Sequence, residues 1–181
     1  MSINKIITYN LIALAMLVLS RVLSSPFDNI TPDLGNMLWL PIGAAILSYL
    51  LFSFRVFPGV FFGYLIAEII VEGGVIDITQ KEVLKRMASS LAPVFSIGVM
   101  RLFNLSNFFD DNKINMGHII FLIFLSAITS TLLKALLIDN ELPGLDGYIT
   151  TYLMGDIIGG IVFIYIGIKI FSSAFDKNKL T

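Results

Sequence analysis

Cysteine is absent from this chain. That excludes disulfides, thiolate metal sites and a cysteine nucleophile, and says nothing about redox compartment. Histidine occurs once, at His118, and tryptophan once, at Trp39. With a single imidazole and no thiol, a transition-metal site lacks its usual ligands, so neither a metal nor another cofactor is expected. Charge is scarce too: 14% of residues are Asp, Glu, Lys or Arg, against about 25% in soluble domains. Net charge is −1, so no basic surface points to nucleic acid. No glycine-flanked serine elbow and no paired-histidine metalloprotease motif occurs, and the expected protein is not an enzyme.

What is present is apolar. Hydrophobic residues make up 56% of the chain and the mean hydropathy is +0.88. This is the composition of an integral membrane protein, and the expected fold is an all-α polytopic bundle in one membrane domain, 1–181. The stretch that organises it is Tyr148–Ile170, long enough to span a bilayer. It carries a carboxylate, Asp156, among Gly155, Gly159 and Gly160. A charge inside a span costs about 3 kcal/mol on insertion scales and normally faces protein or water. The glycines let another helix come close at that level. This segment is therefore expected to pack centrally with Asp156 turned inward.

Six spans are read in order: Ile6–Leu23, Met37–Phe54, Phe57–Ile76, Val83–Phe103, Met116–Ile138 and Tyr148–Ile170, with a short tail at 171–181. Lys5 precedes the first span as in a signal peptide, but no convincing cleavage site follows, so the helix is read as retained. Arg21 lies near its far end and is expected to snorkel. Trp39 falls where an interfacial anchor would sit, and Pro41 suits a first helical turn. The turn Ser53–Pro58 is so short that its flanking spans must be antiparallel neighbours. Polar loops are expected at Ser24–Asn36, Asp77–Glu82, Asn104–Asn115 and Asp139–Gly147.

Lys and Arg counts favour both termini on the cytoplasmic side, by seven to five. Asp156 then lies roughly 12 Å from the outer boundary at about 1.5 Å per residue. Glu68 and Lys134 fall at similar depth, and a polar cavity open to the outside would explain all three.

Three blocks resemble the membrane-associated sensor domain family, type one (MASE), a membrane input module of bacterial cyclases, phosphodiesterases and histidine kinases. They are Trp39-Leu40-Pro41-Ile42-Gly43-Ala44, the turn Phe54-Arg55-Val56-Phe57-Pro58-Gly59-Val60-Phe61-Phe62-Gly63, and Tyr152-Leu153-Met154-Gly155-Asp156-Ile157-Ile158-Gly159-Gly160. They occur in the family's order. Tyr152 and Leu153 stand where tryptophan is common, and no proline follows Gly160. Family members commonly carry more spans and an output domain; this chain is expected as a free-standing version. The resemblance implies a bacterial inner-membrane sensor that signals through a partner in trans.

Each charged candidate has two readings. Asp156 is expected to bind a ligand or cation, carry a proton, or pair with Lys134 within the bundle. Glu68 shares these readings, whereas Lys134 is expected to snorkel. Arg55 is a positive-inside determinant or a contact to an effector or lipid phosphate. Pro41, Gly43, Pro58, Gly59, Gly63, Gly155, Gly159 and Gly160 are read as helix packing, and His118 as interfacial. Gly155-Asp156 is similar to the motif of intramembrane aspartyl proteases, but that chemistry takes two aspartates sharing a proton, and no second span carries one. The expected function is a sensor whose outer pocket lies near Trp39, Glu68, Lys134 and Asp156. Its partner is a histidine kinase, a cyclic-dinucleotide enzyme, another envelope complex or a second copy. The alternative is the substrate-binding subunit of an energy-coupling-factor vitamin transporter, which has similar size and span number.

Overall fold

The computed structural model describes residues 2–30, 38–72, 80–110, 113–137 and 145–177. Six helices follow one another: α1 Ile3–Ser24, α2 Leu40–Phe52, α3 Phe57–Glu72, α4 Gln80–Leu102, α5 Met116–Leu137 and α6 Leu145–Lys177. Five of them are long and apolar enough to cross a membrane, which makes this a multi-pass membrane protein. Between α4 and α5 lies a small antiparallel pair, β1 Phe109–Asp110 and β2 Lys113–Ile114, within a stretch expected as plain loop.

The helices alternate in direction. Asn10, Leu17 and Arg21 of α1 meet Gly59, Gly63 and Glu68 of α3 in the same order, so these two run parallel. Trp39, Gly43 and Leu47 of α2 meet Gly159, Phe163 and Gly167 of α6, again in parallel. Lys134 of α5 faces Asp156, while Ile123 of α5 faces Gly160, so α5 and α6 are antiparallel. The start of α1 and the end of α6 consequently lie on one face of the bundle.

The centre belongs to α2, not to α6 as the sequence suggested. α2 contacts each of the other five helices, and every residue from Leu40 to Tyr49 is buried. It is 13 residues long, about 20 Å, well short of the roughly 30 Å hydrocarbon layer. A helix wrapped by protein need not match the lipid. The apolar run Met37–Phe54 read as a span therefore yields a shorter central helix, opened by Trp39 as N-cap with Pro41 in its first turn.

Other boundaries shift for local reasons. α4 starts at Gln80, absorbing part of the expected loop, because Glu82 sits favourably in its first turn. α6 begins at Leu145 and continues to Lys177, so residues read as loop and tail are helical. Its 33 residues extend about 50 Å. The expected ends of the third and fifth spans, 73–76 and Ile138, lie outside the described residues. A short 3-10 turn, Ser25–Ile30, follows α1.

The tight α2–α3 turn places Ser53 at φ 67° and ψ −176°, a region that essentially only glycine occupies without strain. Asn10 ties this turn to α1. Its side-chain amide donates to the Arg55 carbonyl at 3.1 Å, and its Oδ1 accepts the Gly59 N–H at 2.7 Å.

Candidate functional site

A chain of ion pairs crosses one end of the bundle. Arg21 of α1 contacts Glu68 of α3 at 2.7 Å and Asp28 at 2.7 Å. Glu68 also accepts from Arg86 of α4 at 2.7 Å. Arg86 reaches Glu82 at 3.2 Å, and Lys85 closes on Glu82 at 2.6 Å. Arg21 is 6% exposed and Glu68 9%. Arg21 therefore does not snorkel. A carboxylate on a parallel neighbour at its own depth holds the guanidinium inside.

A second pair lies beside the first. Lys134 of α5 stands 4.0 Å from Asp156 of α6. Lys134 is 4% exposed and Asp156 1%, so Lys134 does not snorkel either. Ser130, one turn before Lys134, lies beside the carboxylate short of hydrogen-bond geometry. Tyr64 of α3, one turn before Glu68, is buried and within electrostatic reach of Asp156.

Trp39 joins the two pairs. Its ring lies 5.0 Å from the Arg21 guanidinium and 5.9 Å from the Lys134 ammonium. Tyr152 offers Lys134 a second aromatic face at 5.3 Å. Such contacts are worth about 0.5–2 kcal/mol, more where water is excluded. The Trp39 backbone N–H donates to the Gly155 carbonyl across the helix gap at 3.0 Å. Gly159 lies so close beneath the Trp39 backbone that a Cβ there has no space. This indole thus bridges two charged groups; it is more than an interfacial anchor.

All six helices contribute to the assembly: Arg21 from α1, Trp39 from the N-cap of α2, Glu68 from α3, Arg86 from α4, Lys134 from α5 and Asp156 from α6. The residues Arg21, Lys85, Arg86 and Lys134 balance Asp28, Glu68, Glu82 and Asp156, four cations against four carboxylates among the described ion pairs.

The four residues expected to form the pocket, Trp39, Glu68, Lys134 and Asp156, fall in this assembly. Glu68 is directed at Arg21 and Arg86, and only Lys134 and Asp156 pair with each other. Arg21, Arg86 and Tyr64 were missed. The depth argument that collected Glu68, Lys134 and Asp156 applies equally to Arg21, near the end of α1, and Arg86, near the start of α4.

The remaining candidates lie elsewhere. Gly43 packs against Phe163 and Gly160 of α6, and Gly160 against Ile123 of α5. Gly59 and Gly63 seat α3 on α1, with Pro58 opening α3 beside them. Arg55 is exposed in the α2–α3 turn at the opposite end. There Arg101 stacks over Phe54 at 5.1 Å, and His118 Nδ1 lies 3.0 Å from the Asn107 carbonyl oxygen. Among the described residues no cluster of His, Cys, Asp and Glu is arranged to hold a metal ion.

No family model, no curated protein and no solved structure matches this chain.

Proposed function

We propose that this chain is a membrane-embedded sensing module that acts through a partner protein. The continuity of α6 carries the reading. One unbroken helix holds Asp156 and Tyr152 in the site and accepts the Trp39 N–H at Gly155. The same helix runs on past Ile170, where its apolar window ends, to Lys177. A ligand, or a partner's membrane helix, biases such a bundle only by favouring one arrangement over another. The charged assembly supplies groups whose pairing can differ between arrangements, and α6 carries the difference to the opposite face.

The reading places the chain in a bacterial inner membrane with both termini cytoplasmic and the charged end outward. The resemblance of the Trp39, Arg55 and Asp156 blocks to type-one sensor domains supports a histidine kinase or cyclic-dinucleotide enzyme as partner, or a second copy of the chain. Two measurements test it. The tagged protein is purified in mild detergent and its partners identified by mass spectrometry. A histidine kinase or cyclase supports the reading; transporter ATPases with a bound vitamin overturn it in favour of a transport subunit. With the partner in hand, Asp156→Asn combined with Glu68→Gln is expected to abolish the partner's response while membrane insertion persists. A double variant that responds normally sinks the assignment of the site.

A further inference from the structure

Inside the bundle several buried polar atoms are without hydrogen bonds. Among the described residues these include both carboxylate oxygens of Asp156, the Tyr64 hydroxyl, Ser126 Oγ and Thr131 Oγ1. Asp156 is 1% exposed, Tyr64 3%, Ser126 0% and Thr131 2%. They come from α6, α3 and α5. Ser126, Ser130 and Lys134 are spaced four apart on α5, which puts them on one face. Buried polar groups are nearly always satisfied. The unsatisfied Asp156 carboxylate, with the unsatisfied Tyr64 hydroxyl of α3 within its electrostatic reach, therefore calls for a polar guest.

The geometry of the ion pair points the same way. A closed ammonium–carboxylate hydrogen bond spans about 2.7–2.9 Å, whereas Lys134 and Asp156 stand 4.0 Å apart. Lys134 divides itself between this carboxylate and the rings of Trp39 and Tyr152. Its partner carboxylate keeps its acceptor positions open.

Charge then selects the class of guest. Lys134 and Asp156 together are neutral. A guest with only a positive charge would face Lys134, and one with only a negative charge would face Asp156. Either leaves a buried charge uncompensated, which is strongly unfavourable. A neutral guest avoids both but offers neither partner an opposite charge, whereas a dipolar ion avoids both and offers each one. Its ammonium donates to Asp156 and its carboxylate accepts from Lys134, so one loose pair becomes two closed ones. The Tyr64 hydroxyl remains to donate to the carboxylate. We propose that a small zwitterion of the amino-acid type binds between Lys134 and Asp156, beneath Trp39 and Tyr152. This names the ligand class for the sensing site proposed above and rests on that reading for its role.

The test uses the whole protein in lipid nanodiscs with three probes of one skeleton: L-alanine, L-alaninamide with only its positive charge, and N-acetyl-L-alanine with only its negative charge. Binding is read by titration calorimetry and by the shift in unfolding temperature. L-Alanine is expected to bind at least about tenfold more tightly than either analogue, since each analogue leaves one buried charge unpaired. Asp156→Asn should turn the preference towards N-acetyl-L-alanine, and Lys134→Gln towards L-alaninamide. Equal or tighter binding of a singly charged analogue by the unmodified protein overturns the proposal, as does no binding of L-alanine at millimolar concentration. Should one variant fail to fold, the other still tests the inversion, and the unmodified protein alone tests the charge rule. No partner is present in the assay, so failure here leaves the partner identification untouched, and the reverse holds.

Discussion

Glu68 serves two guanidinium groups at once, each oxygen taking one at 2.7 Å. Removing it leaves Arg21 with Asp28 and Arg86 with Glu82, and takes the most buried carboxylate from two side chains that are 7% and 15% exposed. Glu68→Ala is expected to cost about 3–5 kcal/mol, the range for breaking a buried pair from one side. Lys85→Ala, which removes a pair about one-third exposed, should cost under about 1 kcal/mol. Denaturation of both variants in the same detergent checks the contrast; similar losses would show that the Glu68 pairs are effectively solvated. At this scale the sequence was partly legible. Glu68, Lys134 and Asp156 could be gathered by depth, and the same argument reaches Arg21 and Arg86. Which of them pair could not be read, because which helix lies beside which is absent from a hydropathy pattern.

The element that most constrains the bundle is α2, and its closest partner surface is α6. Gly159 has the Trp39 backbone against it, and backbone cannot step aside as a side-chain tip can. Gly159→Ala should force α2 and α6 apart, at a cost of about 1–3 kcal/mol from overpacking. Gly98, within α4, has nothing within 4 Å of an added Cβ. Gly98→Ala should be neutral or stabilise by up to about 1 kcal/mol through helix propensity. Unfolding temperatures of the two variants decide; a Gly159→Ala protein as stable as the parent would mean that the α2–α6 contact is loose. Element ends were the least legible feature. An apolar run such as Met37–Phe54 reads the same whether lipid or protein surrounds it. After Ile170 the chain turns mostly polar, yet Phe171, Ala174 and Phe175 keep a helical spacing and the helix propagates through them once the preceding turns are formed.

Across the whole molecule, charge is distributed unevenly between the two ends. The end holding Arg21 and Glu68 matches its ion-paired cations with as many carboxylates. The opposite end presents Lys5, Arg55, Arg101 and Lys169, against Asp110 in β1 and Asp176 in α6 among the described residues. Cations gather on the cytoplasmic side of membrane proteins, which fits the orientation in the proposed function. The cysteine-free chain allows a direct check. A single Leu102→Cys, at a position 82% exposed near the cation-rich end, should react with a membrane-impermeant maleimide only after the cells are opened. A single Lys81→Cys at the balanced end should react in intact cells, and the reverse pattern would invert the molecule. The all-α bundle was plain from hydropathy, since a chain this apolar must satisfy its backbone within helices. The central place of α2 was not, because nothing in the sequence ranks helices by how many neighbours they have.

The tightest contact on α6 lies two residues from its midpoint, Ile161. Gly159, pressed to the Trp39 backbone, stands 18 residues before Lys177, an arm of about 27 Å. That contact acts as a fulcrum close to the charged groups. A tilt of α6 by about 5° would change the Asp156 surroundings by only a few tenths of an ångström, and the same tilt sweeps the far tip by about 2 Å. Under the proposed function, the helix would turn a rearrangement too small to disturb the packing into a displacement at its far tip that a partner could detect.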